Sequence, residues 1–163
     1  MKHLTLIRHA KSDWSDPTLA DFDRPLNSKG KKAAPLMGRR MVKAGIIPDL
    51  FICSPAKRAS KTAKLLAREL EISKEAIVYN QEIFAAKLET LIKIISECPN
   101  AEHIALIGHN VSLTDLAGWL SSEAPNWLKT CAVISFRLDI DDWKNISQGC
   151  GTILHYDYPK KPT

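Results

Sequence analysis

Apolar residues recur along this chain in two alternating rhythms. Short runs rich in β-branched and large apolar side chains occur at His3–Ile7, Leu50–Cys53, Ala76–Tyr79, Ile104–Ile107, Cys131–Leu138 and Thr152–Tyr156, and each reads as a strand. Between them the apolar positions switch to helical spacing. Ala33, Ala34, Met37, Met41 and Val42 form one such stripe, with Asn27 or Ser28 as the cap and Gly45 as the stop. Pro35 conflicts with that helix and should kink it or delay its start. Ser54-Pro55 reads as a cap followed by proline at the first helical position, opening a helix whose apolar face is Ala59, Ala63, Leu66 and Leu70. Leu88, Leu91, Ile92 and Ile95 predict a third helix that stops before Pro99, and Leu113, Leu116, Ala117 and Leu120 a fourth.

Two segments break the rhythm. From Arg8 to Pro25 the chain is polar, with Asp13, Asp16, Asp21 and Asp23 among its residues. Structureless loops of that length in compact domains are usually functional. The end, 159–163, reads as a flexible tail. Strands alternating with helices predict an α/β fold, a three-layer α/β/α sandwich around a mostly parallel sheet, with one domain over residues 1–158. The 163 residues suffice for such a core without disulfide staples. In sheets of this kind ligands bind beyond the carboxyl ends of the strands.

Three strand ends carry polar residues that could meet there. The first ends in Arg8-His9, the second runs into Ser54-Pro55 with Arg58 one helical turn on, and the fourth ends in Gly108-His109. The first and fourth even repeat a pattern, Leu-Ile-Arg-His against Leu-Ile-Gly-His. Two histidines and two arginines converging on one sheet edge suit a phosphoryl group. Guanidinium forks match phosphate oxygens, and a neutral imidazole can attack phosphorus. Taken singly each residue has an ordinary structural role: a strand-end histidine, a solvated helix arginine, a helix-capping Asn110.

Composition narrows the alternatives. The net charge is +5, which favours anionic partners. The cations gather between Lys29 and Lys43 and between Lys57 and Arg68, where they read as solvated helix faces. Zinc-finger spacing, an RNA-recognition signature and a long basic tail are all missing from the sequence, so nucleic acid is not an expected partner. Cys53, Cys98, Cys131 and Cys150 form no CxxC pair and have no histidine at metal-site spacing, so scattered reduced thiols, and neither metal nor cofactor, are expected. No apolar run reaches membrane-spanning length, and the chain opens without a signal-peptide pattern. A cytoplasmic protein with no membrane partner, monomeric or weakly oligomeric, is the expectation.

At these residues the sequence resembles the histidine phosphatase superfamily, and within it the small SixA-type phosphohistidine phosphatases, which share the phosphoglycerate mutase-like fold. The resemblance runs from Leu4 to about Leu120. It rests on Leu6-Ile7-Arg8-His9-Ala10-Lys11-Ser12, then Asp23-Arg24-Pro25-Leu26 with Gly30, then Ser54-Pro55-Ala56-Lys57-Arg58 with Thr62-Ala63, and last Gly108-His109-Asn110. It implies that His9 is the histidine that becomes phosphorylated and that Arg8, Arg58 and His109 hold the phosphate. It implies less directly that Ser12 and Asn110 contribute to phosphate binding.

Two departures stand out. Ala10 replaces the family's glycine, which keeps the residue small. Many members that cleave alkyl phosphates also carry a carboxylate just after the third strand, where this chain has Ala85. Glu82 lies nearest and is the candidate proton donor, with Asp13, Asp21 and Asp23 on the long loop as others. An alkoxide leaving group needs an acid, whereas the imidazole of a phosphoramidate is readily protonated. The expected substrate is therefore phosphohistidine in a phosphorylated protein. The rival expectations are a phosphatase or mutase acting on a small phosphoester, and a non-catalytic phosphate-binding module.

Overall fold

The computed structural model describes residues 1–162. Six strands form one sheet in the order β3-β2-β4-β1-β5-β6. They are β1 (Lys2–Arg8), β2 (Leu50–Cys53), β3 (Ile77–Tyr79), β4 (His103–Gly108), β5 (Val133–Leu138) and β6 (Gly151–Asp157). Neighbours among the first four are parallel, and β5 alone runs against the rest, pairing antiparallel with both β1 and β6. The sheet is mostly parallel, as the alternation of elements predicts.

Four helices cover it: α1 (Ser28–Ala44), α2 (Lys57–Glu69), α3 (Leu88–Ser96) and α4 (Ser112–Leu120). The pleat divides each buried strand between two cores. On one face Ile7, Phe51 and Ile107 pack with Met37, Met41, Ala63 and Leu66 of α1 and α2. On the other Leu4, Leu6, Ile104 and Leu106 pack with Leu91, Ile95, Leu113 and Leu116 of α3 and α4. The two faces make the three layers.

The helix boundaries expose where local signals lose to tertiary ones. Asn27 caps α1 as expected, its side chain accepting from the Gly30 N–H at 2.8 Å, and Gly45 ends it in the left-handed region at φ 75°. Pro35 neither stops nor delays α1, which runs through it. Burial of Ala34, Met37, Gly38 and Met41 along the helix outweighs a proline penalty of about 3 kcal/mol. The Ser54-Pro55 start does not hold. Helix α2 begins at Lys57 with Ala56 as its cap residue and no side-chain cap. Ser54 stays with the sheet instead, its N–H donating to the Ile107 carbonyl at 3.0 Å.

The long polar loop is tied at its base. Ser12 and Leu26 form an isolated antiparallel bridge, Asp13 N–H donates to Pro25 O at 2.8 Å, and Asn27 N–H donates to Lys11 O at 2.9 Å. Gly30 is what lets α1 approach this closure. A Cβ there would stand 2.3 Å from the Lys11 carbonyl oxygen. Within the loop Asp21–Asp23 makes one short 3-10 turn. The segment expected as a tail makes a turn at 159–160, and Lys161 N–H donates to Tyr158 O at 3.0 Å. Residue 163 lies outside the described residues.

Candidate functional site

Strands β1, β2 and β4 are adjacent and parallel, so their carboxyl ends meet. Arg8 pairs with Gly108 and Cys53 with Ile107 across the ladder. The pairing continues one residue further: His9 N–H donates to Gly108 O at 3.1 Å and Ser54 N–H to Ile107 O at 3.0 Å. This register delivers His9, Ser54 and His109 to one edge. His9 is then pinned from its other side, where its carbonyl accepts from Cys131 N–H at 3.0 Å. Thr62 locks the next residue, accepting from Ala10 N–H at 2.9 Å while donating to Arg58 O at 2.7 Å.

The His9 ring is 7% exposed. Its Nδ1 lies 2.7 Å from the Ala10 carbonyl oxygen. A carbonyl can only accept, so Nδ1 carries the proton and Nε2 keeps its lone pair. Arg58 Nε–H points at that lone pair from 3.4 Å. The His109 ring lies 5.2 Å from that of His9, centroid to centroid. His109 Nε2 is 2.8 Å from Ser54 Oγ, which also accepts from Ala56 N–H at 3.2 Å.

Two buried nitrogens at this edge have no hydrogen-bond partner among the described residues: His109 Nδ1 and Arg8 Nε. Unpaired buried donors cost about 1–3 kcal/mol each, and both would be satisfied by oxygens of a bound anion. The charge balance points the same way. Burial first, and Arg58 second, lower the pKa of Arg8. An anion beside Arg8 would offset both.

The remaining predicted residues fall into different places. Arg58, 7% exposed, joins His9 to the loop: its Nη1 donates to Asp21 O at 2.6 Å and its Nη2 to Asp21 Oδ2 at 3.0 Å. Arg8 Nη1 donates to Leu128 O at 3.0 Å. Asn110 is engaged with the scaffold through both amide atoms, Nδ2 donating to the same Leu128 carbonyl at 2.7 Å and Oδ1 accepting from Thr114 Oγ1 at 2.8 Å. It therefore positions the segment behind Arg8. Ser12 is buried at the loop base. Glu82 is exposed and lines a separate groove with Leu50, Val78 and Lys93.

Three roles at the site escape the sequence reading. Ser54 serves as partner of His109. Asp21, weighed only as a proton donor, is an ion-pair partner of Arg58 and lies 3.8 Å from Arg24 Nε. Phe84 stacks edge-on against both His109 and Phe22, at 5.6 and 5.1 Å, and gives the site an apolar wall.

Burial dominates the acid–base behaviour. It pulls the His9 pKa down to about 4 against the opposing pull of the Ala10 carbonyl, with Arg58 and Arg8 adding to the decrease. It pulls His109 down to about 3, with His9 and Arg58 adding to it. Both rings are neutral at pH 7, as nucleophilic attack requires. The ring-proton NMR signals of His9 and His109 should stay flat from pH 8 to pH 5, and titration of either near 6.5 would contradict this environment. The linked stability follows. The unfolded histidines take up protons below 6.5 while the folded ones do so only near 4 or below, so stability falls as pH drops through that window.

Comparison with known proteins identifies the family. A sequence profile of the histidine phosphatase superfamily, branch 1, matches residues 4–103, which takes in Arg8, His9 and Arg58 and stops short of His109. An uncharacterized chloroplastic protein of Arabidopsis thaliana is 30% identical over 152 residues, covering 88% of this chain and 69% of that one. The mitochondrial serine/threonine-protein phosphatase Pgam5 of Drosophila ananassae is 32% identical over 77 residues, 47% of this chain; the match spans about a quarter (26%) of Pgam5. The solved structure of the protein histidine phosphatase SixA complexed with tungstate has the same fold, with a TM-score of 0.81 over 96% of this chain and 97% of that one at 20% identity. No helix among the described residues is long and apolar enough to cross a membrane. With the profile covering well over half its length, the chain belongs to the histidine phosphatase superfamily.

Proposed function

We propose that this phosphatase removes the phosphoryl group from phosphohistidine in a protein substrate, through a phosphohistidine formed on His9. In the first step His9 Nε2 attacks phosphorus, the P–N bond to the substrate imidazole breaks, and solvent protonates the departing ring. In the second, water attacks phosphorus, the P–Nε2 bond breaks, inorganic phosphate leaves and neutral His9 returns. Arg8, Arg58 and the Nδ1–H of His109 meet the charge on the phosphoryl oxygens. With Nδ1–H so used, His109 Nε2 accepts from the Ser54 hydroxyl. Side-chain cations do the neutralising, so the reading invokes no metal.

The observation that carries the reading is a neutral nucleophile beside two guanidiniums, with Glu82 away from it and Asp21 already paired with Arg58. Glu82 lines another groove, and Asp21 is engaged as an acceptor by Arg58 and lies near Arg24. A positioned acid contributes roughly 10²–10⁴ in rate to ester cleavage, and a phosphoramidate does not need it. The names of two relatives point to protein substrates, phosphoserine or phosphothreonine for Pgam5 and phosphohistidine for SixA. The test compares kcat/KM for a phosphohistidine peptide, p-nitrophenyl phosphate and a sugar phosphate. The phosphohistidine peptide should exceed the sugar phosphate by about 10²-fold or more. Equal turnover of the sugar phosphate would overturn the assignment in favour of a small-phosphoester enzyme.

A further inference from the structure

Arg8 has a second neighbourhood that the reaction does not use. A groove of about 520 Å³ opens beside it, walled by Lys29 and Lys32 of α1, Lys11, Lys129 and Lys160. Its lining holds six cations with Arg8 included and no carboxylate, against a net charge of +5 for the whole chain. Among the described residues none of the five lysines pairs with a carboxylate. The sequence assigns Lys29 and Lys32 to solvated helix faces, but the fold turns them onto this shared wall. Uncompensated like charges repel one another in the folded state, so a surface this one-sided is built for an anionic partner.

Two aromatic rings separate the candidate partners. Trp127 is 50% exposed, and the Arg8 guanidinium carbon stands 5.5 Å from its ring centroid. Lys129 Nζ stands 4.2 Å from the centroid of Tyr158, whose ring is also packed on Tyr156 at 5.5 Å. Nucleic-acid grooves offer open aromatic faces on which bases stack. Here one face of each ring already carries a cation, and the lysines remain as point charges. Carboxylates need nothing more.

We infer that this groove binds an acidic stretch of the substrate protein, Asp- or Glu-rich residues next to the phosphorylated side chain. The inference rests on the protein-substrate reading above and adds a sequence preference to it. Arg8 is the junction: it ends β1 next to His9 and also lines the groove. A small phosphorylated metabolite would fill only the His9 pocket. A polypeptide holding its phosphate there must leave across the rim, and the Arg8 rim is strongly cationic.

The experiment measures fluorescence anisotropy of a labelled, unphosphorylated Asp/Glu-rich peptide and a neutral Ser/Gly peptide of equal length. The acidic peptide should bind at least tenfold more tightly in about 50 mM salt and lose that advantage near 500 mM, where screening is nearly complete. Lys29→Glu with Lys32→Glu should weaken it at least tenfold, and Lys129→Glu, on a different segment, should weaken it as well. Acid-flanked phosphohistidine peptides should show a tenfold higher kcat/KM than neutral-flanked ones, with the ratio falling to near one in the double variant. Equal binding of the two peptides, or binding indifferent to the lysines, would overturn the proposal. So would tighter binding of a single-stranded oligonucleotide of matched charge. If the acidic peptide binds through these lysines but neither phosphohistidine peptide is hydrolysed, the groove stands and the substrate reading falls.

Discussion

Replacing His9 with alanine is expected to reduce turnover at least ~10⁴-fold, a loss of about 5.4 kcal/mol of transition-state stabilisation. The size of the effect follows from geometry. Nε2 is the one imidazole nitrogen of this ring left with a lone pair, because Nδ1–H is committed to the Ala10 carbonyl. Without it only water attacking in the same pocket remains, helped by the arginines. Residual activity should therefore exceed the uncatalysed rate while producing no labelled enzyme. Mass spectrometry at neutral or alkaline pH should find a phosphorylated His9 in the wild type and no phosphorylated residue in the variant. A His9→Ala protein that still forms the phospho-intermediate would refute the nucleophile assignment. Because His9 is buried, His9→Gln with an unchanged melting curve separates lost chemistry from lost packing.

The second large effect is expected at Arg58. Arg58→Ala should lower kcat by about 10³-fold, within the range seen for removal of a charge-stabilising donor. Its guanidinium is held between the nucleophile and the loop, 3.4 Å from His9 Nε2 and 3.0 Å from Asp21 Oδ2. That support would hold it beside a phosphoryl group carried on His9. Arg58→Lys keeps the charge and loses the planar fork, and should recover only part of the rate. Wild-type kcat in Arg58→Ala would contradict a role in the transition state.

Much of this arrangement is legible in one dimension. Leu6-Ile7-Arg8-His9 and Leu106-Ile107-Gly108-His109 sit side by side because β1 and β4 pair in register, Leu6 with Leu106 and Ile7 with Ile107. The likeness of two strand ends thereby becomes a likeness of place. Other parts resist reading because their signals are shared. Ser54-Pro55 carries the mark of a helix cap, and nothing local reveals that ladder pairing claims Ser54 first and turns its hydroxyl to His109. Asp21 looks like any loop aspartate until the Ser12–Leu26 bridge closes the loop and sets it against Arg58. Phe84 stands next to the very Ala85 at which an acid is sought, yet its contact with His109 depends on how two distant segments pack.

The Leu128 carbonyl has a wider consequence. It orients Arg8 and Asn110 together, at 3.0 and 2.7 Å, while the Leu128 side chain is wholly buried in the core. A main-chain oxygen belongs to every amino acid. The aim of the guanidinium is therefore encoded in the path of the backbone and not in the identity of residue 128. Selection on packing and selection on chemistry can act at that position independently, so drift in the core need not disturb the reaction.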